Sequence, residues 1–384
     1  MTNQLECRGQ LTVDLPPAYA TNRGFLAPLE GLRAVAALGI VLTHTAFQTG
    51  MPANSIFARF DFFVPVFFAL SAFLLWRRHR FEFDGHGEAL RRYATSRVVR
   101  ILPAYLVLVI GVFLLLPEAF GATATQVVAN LTLSQIYVPN ALAPGLTHLW
   151  SLCVEVAFYV CLPLVAWACM RTGGAEQKPA RRLGFIATLA VASLAWPFLP
   201  FVVASPAPGV PNLQIFPVSY ACWFAVGLVA AEFEGKIRWS VPAWLRLVSW
   251  LLALVVAWIA AQAWFGPLGL IHPSPWEFVR RVLAGTLFAA LVLVPYAWDT
   301  QQSRALSSPV MQALGRWSYG IFLWHLPVLT WMFPLLGRSP FSGGFWLISL
   351  LTVLATIPIA AASYEFVERP AAQWLKAKRR QRAH

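Results

Sequence analysis

The sequence predicts an all-α polytopic membrane protein, a bundle of about ten transmembrane helices with both termini cytoplasmic, on three observations. Hydrophobic residues make up 58% of the chain and charged residues only 12%, about half the charged share of a soluble domain. Apolar runs of about 20 residues, the length that crosses bilayer hydrocarbon, recur from end to end. The basic residues are also skewed to alternate loops. With residue 1 on the inner side, segments 1–26, 77–100, 171–182, 234–246, 299–316 and 368–384 hold 24 of the 29 Lys and Arg. Such a bias in short loops sets orientation. The formal charge of +13 therefore reads as topology and contact with anionic lipid headgroups, and not as a nucleic-acid surface.

Residues 1–24 are polar, with Glu6 and Asp14 and no short apolar core before a small-residue cleavage site, so they read as a cytoplasmic tail and not a signal peptide. The ten apolar runs follow at 27–47, 60–76, 101–117, 148–170, 183–203, 213–233, 247–265, 278–298, 317–336 and 344–367. "SYEFVERPAAQW" closes the last run with Glu365, Glu368 and a proline stop. The chain thus divides into a tail (1–26), one membrane domain (27–370) and a basic cytoplasmic tail (371–384). Cys7 lies in the first tail, and Cys153, Cys161, Cys169 and Cys222 lie in helices. None has metal-finger or CxxC spacing. The eight-residue recurrence of Cys153, Cys161 and Cys169 reads as small-residue packing.

The polar residues inside these runs carry the functional signal. "LEGLRAVAALGIVLTHTAF" places Arg33 and His44 eleven residues apart, which is three turns plus about 20°, so both share one face some ~16 Å apart along the axis. Glu30 joins the same wall. Ordinary pairing of Glu30 with Arg33 at the interface is the plainer account of that pair. On the fourth helix His148, Ser151 and Glu155 follow i, i+3, i+7 on one face, at a depth like that of His44. Neutral imidazole can take and return a proton there; a hydrogen-bond network that only fixes packing is the plainer account of Ser151. The loop before the third helix is Arg-rich without Lys. Arg97 and Arg100, spaced RxxR, offer the bidentate geometry that suits phosphate. Arg280 and Arg281 open the eighth helix on the outer side, where they could hold Glu277 or an anionic ligand. Ser318, Tyr319 and His325 sit in "GRWSYGIFLWHLPVL".

Six ordered stretches, "LEGLRAVAALGIVLTH", "VFFALSAFLLW", "RRYATSRVVRILPAY", "HLWSLCVEVAFY", "SYGIFLWHLPV" and "SYEFVERP", resemble the acyltransferase family 3 membrane proteins. That family acylates glycans, lipid-linked sugars and some secondary metabolites. The resemblance spans residues 29–370 and implies a bundle of about ten helices in the bacterial cytoplasmic membrane. It also implies acyl-CoA as donor co-substrate, with no permanently bound cofactor and no metal. The histidine of the Arg-to-His motif, here His44, becomes the central catalytic residue. Glu155 is expected to orient or charge-balance it, and Arg33, Arg97 and Arg100 to hold the donor. Glu30, Ser71, His148, Ser151, Tyr159, Ser318, Tyr319, His325 and Glu368 are expected to support the site or the substrate.

The chain departs from the pattern in places. Ala72 replaces a glycine after Ser71, Pro65 stands where many members carry an acid, and "VEVAFY" lacks the usual Glu-Gln pair. The role of the missing acid is not assigned to Asp61, one turn earlier. Some relatives append an extracytoplasmic hydrolase-like domain; the expectation here is the standalone form. The expected reaction moves an acetyl or other short acyl group to a hydroxyl of an envelope glycan, glycolipid or small molecule. A transporter or flippase of a lipid-linked sugar is the alternative, although no matched pair of broken helices in two halves supports it.

Overall fold

The computed structural model describes residues 26–83, 87–172, 179–237, 240–299 and 303–381; the cytoplasmic-tail reading of 1–25, including Cys7, lies outside them. Thirteen α-helices follow one another among these residues: α1 (Ala27–Gln48), α2 (Phe63–His79), α3 (Gly87–Leu115), α4 (Ala124–Leu131), α5 (Trp150–Thr172), α6 (Pro179–Ser193), α7 (Pro200–Val203), α8 (Ala221–Phe233), α9 (Ala243–Ala260), α10 (Pro275–Ala297), α11 (Pro309–Leu335), α12 (Phe345–Ser363) and α13 (Arg369–Gln381). No strand is named among them.

Seven helices among the described residues are long and apolar enough to cross a membrane, fewer than the ten apolar runs. The three runs that fall short do so for separate reasons. Run 183–203 is broken: α6 has 15 residues, about 22 Å of rise against about 30 Å of hydrocarbon. Pro197 and Pro200 then open a 3₁₀ turn (Trp196–Phe198) and the four-residue α7. Run 213–233 becomes a shorter apolar helix at Pro217–Phe233. Run 317–336 lies within α11, which has 27 residues but is diluted by Gln312, Arg316, Ser318 and His325.

The end of the last run differs too. Pro370 does not stop the helix; a π-helical turn at Tyr364–Glu368, in which the Arg369 N–H reaches back to Tyr364 O, leads straight into α13.

α1 lies inside the bundle, packed against α2, α10, α11 and α12, and α2 packs on α8. Small residues allow the close approaches. A Cβ on Gly227 of α8 would collide with the backbone of Ala69 on α2, and one on Gly315 of α11 with the carbonyl of Glu30 on α1. A buried aromatic layer of Phe62, Phe63, Phe68, Phe73 and Phe288 fills the centre. Leu114, Leu164, Leu251 and Leu354 face outward, as a lipid-facing surface requires. Of the three helix-spaced cysteines, Cys153 and Cys169 are buried but Cys161 is exposed. The eight-residue repeat is therefore not one packed stripe.

Candidate active site

Three histidines from three helices meet in the interior. Ring centroids of His44 on α1 and His325 on α11 lie 4.9 Å apart, and those of His148 and His325 also 4.9 Å. His148 and His325 are buried, at 2% and 0% exposure, whereas His44 is half-buried. The hydrogen bonds determine the tautomers. His325 Nδ1 faces the carbonyls of Phe322 at 2.7 Å and Ile321 at 3.2 Å; a carbonyl only accepts, so this nitrogen carries the proton. In the neutral ring Nε2 of His325 is then an acceptor. His44 Nδ1 faces Ile40 O at 3.0 Å and His325 Nε2 at 2.9 Å, and donates its proton to both. The remaining nitrogen of His44, Nε2, keeps a free lone pair. His148 uses Nε2 to donate to Leu323 O at 3.1 Å, and Ser151 Oγ donates to His148 O at 3.1 Å.

Toward the end of the bundle where α1 begins lies a cavity. Arg33, Arg100, Ser151 and Glu155 line it together with Tyr159, Ser318 and Tyr319. Phe322, also in its wall, packs edge-on against His148 with centroids 5.3 Å apart. The cavity thus ends beneath the histidine cluster.

Glu155 has its own partners there: Ser71 Oγ donates to it, and Tyr159 Oη donates to it at 2.6 Å. The expected carboxylate partner of His44 is therefore another imidazole, His325, because Glu155 lies two turns along α5 from His148 and points to α2. Arg97 stacks over the Tyr159 ring at 5.8 Å and its Nε has no partner.

Glu368 reaches the same region because the π-helical turn adds a residue to the helix, a device that recurs at functional sites. Its carboxylate lies 3.6 Å from the Arg100 guanidinium, which is 36% exposed. Glu30 pairs loosely with Arg33 at 3.8 Å. The fourteen residues expected to act in catalysis, donor binding or support of the site thus lie at the histidine cluster, in this cavity or beside residues that line it, whereas Arg280, Arg281 and Glu277 lie elsewhere.

Residues around Asp61 were not assigned from the sequence. Arg59 is fully buried and meets Asp61 at 3.4 Å. Arg281 does not hold Glu277. Its Nη2 donates to Phe265 O and Pro267 O, while Glu277 forms a capping box with Ser274 at the start of α10. The signal was present in part, since an arginine and an acid two residues apart sit at the head of an apolar run.

A family model described as an acyltransferase domain matches residues 27–365. The chain is 28% identical over 364 residues to the acyltransferase MdmB of Streptomyces mycarofaciens, covering 88% of this chain and 87% of that one. It is 23% identical over 385 residues to nodulation protein 10 of Rhizobium leguminosarum bv. viciae, covering 92% and 95%. A Staphylococcus aureus (strain COL) protein named for O-acetyltransferase activity is 24% identical over 403 residues, and the match takes in 90% of this chain but 57% of that longer protein. No solved structure matches the chain.

Proposed function

Since this chain belongs to the acyltransferase-domain family, and is a polytopic membrane acyltransferase, we propose that it moves acetyl or another short acyl group from cytoplasmic acyl-CoA to a hydroxyl of an envelope glycan, glycolipid or secondary metabolite. The proposed setting is a bacterial inner membrane crossed ten times, with both termini inside. The broken α6–α7, the shorter apolar helix at Pro217–Phe233 and the polar α11 then count as spans beside the seven longer helices.

One observation carries the mechanism: both Nδ1 atoms in the His44–His325 pair face acceptors, which leaves the Nε2 lone pair of His44 available as a base. Arg97 and Arg100 hold the donor's phosphates at the inner mouth, and the acyl-bearing arm runs through the cavity past Arg33. An extended pantetheine arm is on the order of half the hydrocarbon thickness, so the length suffices. His44 Nε2 takes the proton of the acceptor hydroxyl as its oxygen attacks the thioester carbonyl. The C–O bond forms, the C–S bond breaks, and the imidazolium returns the proton to the departing thiolate. An acyl-His44 intermediate would use the same lone pair in the opposite order. Label retained on the protein after acyl-CoA is supplied without acceptor separates the two.

The test is His44→Ala in purified protein supplied with radiolabelled acetyl-CoA and a whole-cell extract as acceptor source. Transfer should be lost while the size-exclusion profile stays that of the wild type; turnover near the wild-type rate would remove the mechanism. A flippase would consume no thioester in either protein.

A further inference from the structure

The cavity beneath the histidines changes character along its length. At one level Ser71 of α2 donates to Glu155 of α5, and Tyr159, one turn further along α5, donates to the same carboxylate. This level is polar, and Arg33 and Arg100 belong to the same wall. One turn back along α2 from Ser71 stands Phe67, which meets Phe322 of α11 with ring centroids 6.4 Å apart. Phe322 precedes His325 by three residues, and its ring lies 6.1 Å from that of His325 and 5.3 Å from that of His148. Within one helical turn, about 5.4 Å of axis, the polar wall thus gives way to an apolar one that abuts the histidines. Val64 and Leu152 complete it.

The two rings are the yielding part of that wall. Phe67 and Phe322 are only half-buried, although their chain neighbours Phe68 and Leu323 are 1% and 0% exposed. Both line the cavity, so the surface they leave open is the cavity's own. They also touch each other, since aromatic pairs in contact have centroids about 4.5–7 Å apart. A hydrocarbon chain passing between two ring faces needs about 7–8 Å, twice the carbon contact distance. At 6.4 Å that way is shut.

We infer that the Phe67–Phe322 pair sets the length of the acyl group that this enzyme accepts. The inference rests on the acyltransferase reading and adds to it the residues that select the donor. The end of the cavity that holds the thioester carbonyl against the histidines must hold the acyl tail as well. Val64, Leu152 and the two rings close that end around a short tail. An acetyl group sits there with the rings in contact. A hexanoyl tail has to part them, giving up their mutual contact and the packing of Phe322 on His148.

The test uses the full chain in lipid nanodiscs, an extract of cells lacking the gene as acceptor source, and an equimolar mixture of acetyl-CoA and hexanoyl-CoA carrying different radiolabels on their acyl groups. The ratio of the two labels in the product is the ratio of the two kcat/KM values, whatever fraction of the protein is active. The wild type should favour acetyl by about a hundredfold or more, because one misfitting methylene in an apolar pocket already costs about 10- to 200-fold. Phe67→Ala and Phe322→Leu, the latter keeping bulk beside His148, should each raise the hexanoyl share by about tenfold or more. A wild type that transfers hexanoyl within about threefold of acetyl, less than one misfitting methylene costs, overturns the proposal before any variant is made. So does an unchanged label ratio in either variant. Loss of both labels in both variants overturns it too, since a wall that only limits length is not needed to move acetyl. If the wild type transfers neither label, the acyltransferase reading itself falls, an outcome distinct from all of these.

Discussion

His325→Ala tests the imidazole pair most directly. In the resting pair His44 Nδ1–H is shared between Ile40 O at 3.0 Å and His325 Nε2 at 2.9 Å. Removing His325 leaves the Ile40 carbonyl to hold the tautomer, so the ring keeps its usable lone pair. What is lost is the hydrogen bond to an imidazolium once His44 has taken the acceptor's proton. A hydrogen bond to a charged group is worth about 1.5–3 kcal/mol, or roughly 10- to 150-fold in rate. A wrong tautomer would cost about 10⁴-fold, so two anchors predict a partial loss. Single-turnover cleavage of radiolabelled acetyl-CoA with saturating acceptor extract reads the chemical step. His325→Gln, which keeps an acceptor at that position, should recover part of the rate. A His325→Ala rate within threefold of wild type would refute the argument, since Ile40 alone would then suffice. A loss as complete as that of His44→Ala would refute it the other way, by giving His325 a chemical role of its own.

Three further outcomes follow from the same geometry. Arg100→Ala should raise half-saturating acyl-CoA by about tenfold or more, the charge-assisted contact to phosphate being lost, with less effect on the extract dependence; isothermal titration with CoA checks it. Glu232 is fully buried and is bonded by Arg182 at 3.0 and 2.8 Å and by Trp76 Nε1 at 2.7 Å. Glu232→Gln should therefore cost about 3–5 kcal/mol of stability by leaving buried guanidinium charge unbalanced, read as a lower midpoint in thermal unfolding of the detergent-solubilised protein. Gly315→Ala drives a Cβ into the Glu30 carbonyl, so α1 must shift. A destabilisation of about 1–3 kcal/mol should accompany reduced turnover, measured by the same unfolding and acetyl-transfer assays.

Much of the site could be read from the linear chain because helix period is a local property. Arg33 and His44 share a wall of α1 by their spacing alone, Arg97 and Arg100 stand one turn apart, and Ser151 and Glu155 follow one another along α5 with His148 in the 3₁₀ turn (Thr147–Leu149) just before it. The two prolines that break the fifth apolar run, Pro197 and Pro200, were equally visible, yet a continuous apolar stretch outweighed them. Hydropathy averages over exactly the residues that terminate a helix.

Composition, apolar period and loop charge determined by themselves that the chain is an α-helical membrane protein, and the ordered motifs determined its family. Only the tertiary structure decided which walls face one another. Periodicity tells which side of its own helix a residue occupies, but the neighbour on that side is chosen by packing far along the chain. His325 reaches His44 across 281 positions, and the contact depends on small residues such as Gly315 letting α11 lie against α1. The same long-range packing turned Glu155 toward Ser71, 84 positions away. It also gathered Asp61, Gln214 and Arg281, polar residues with no shared local pattern, around a second cavity.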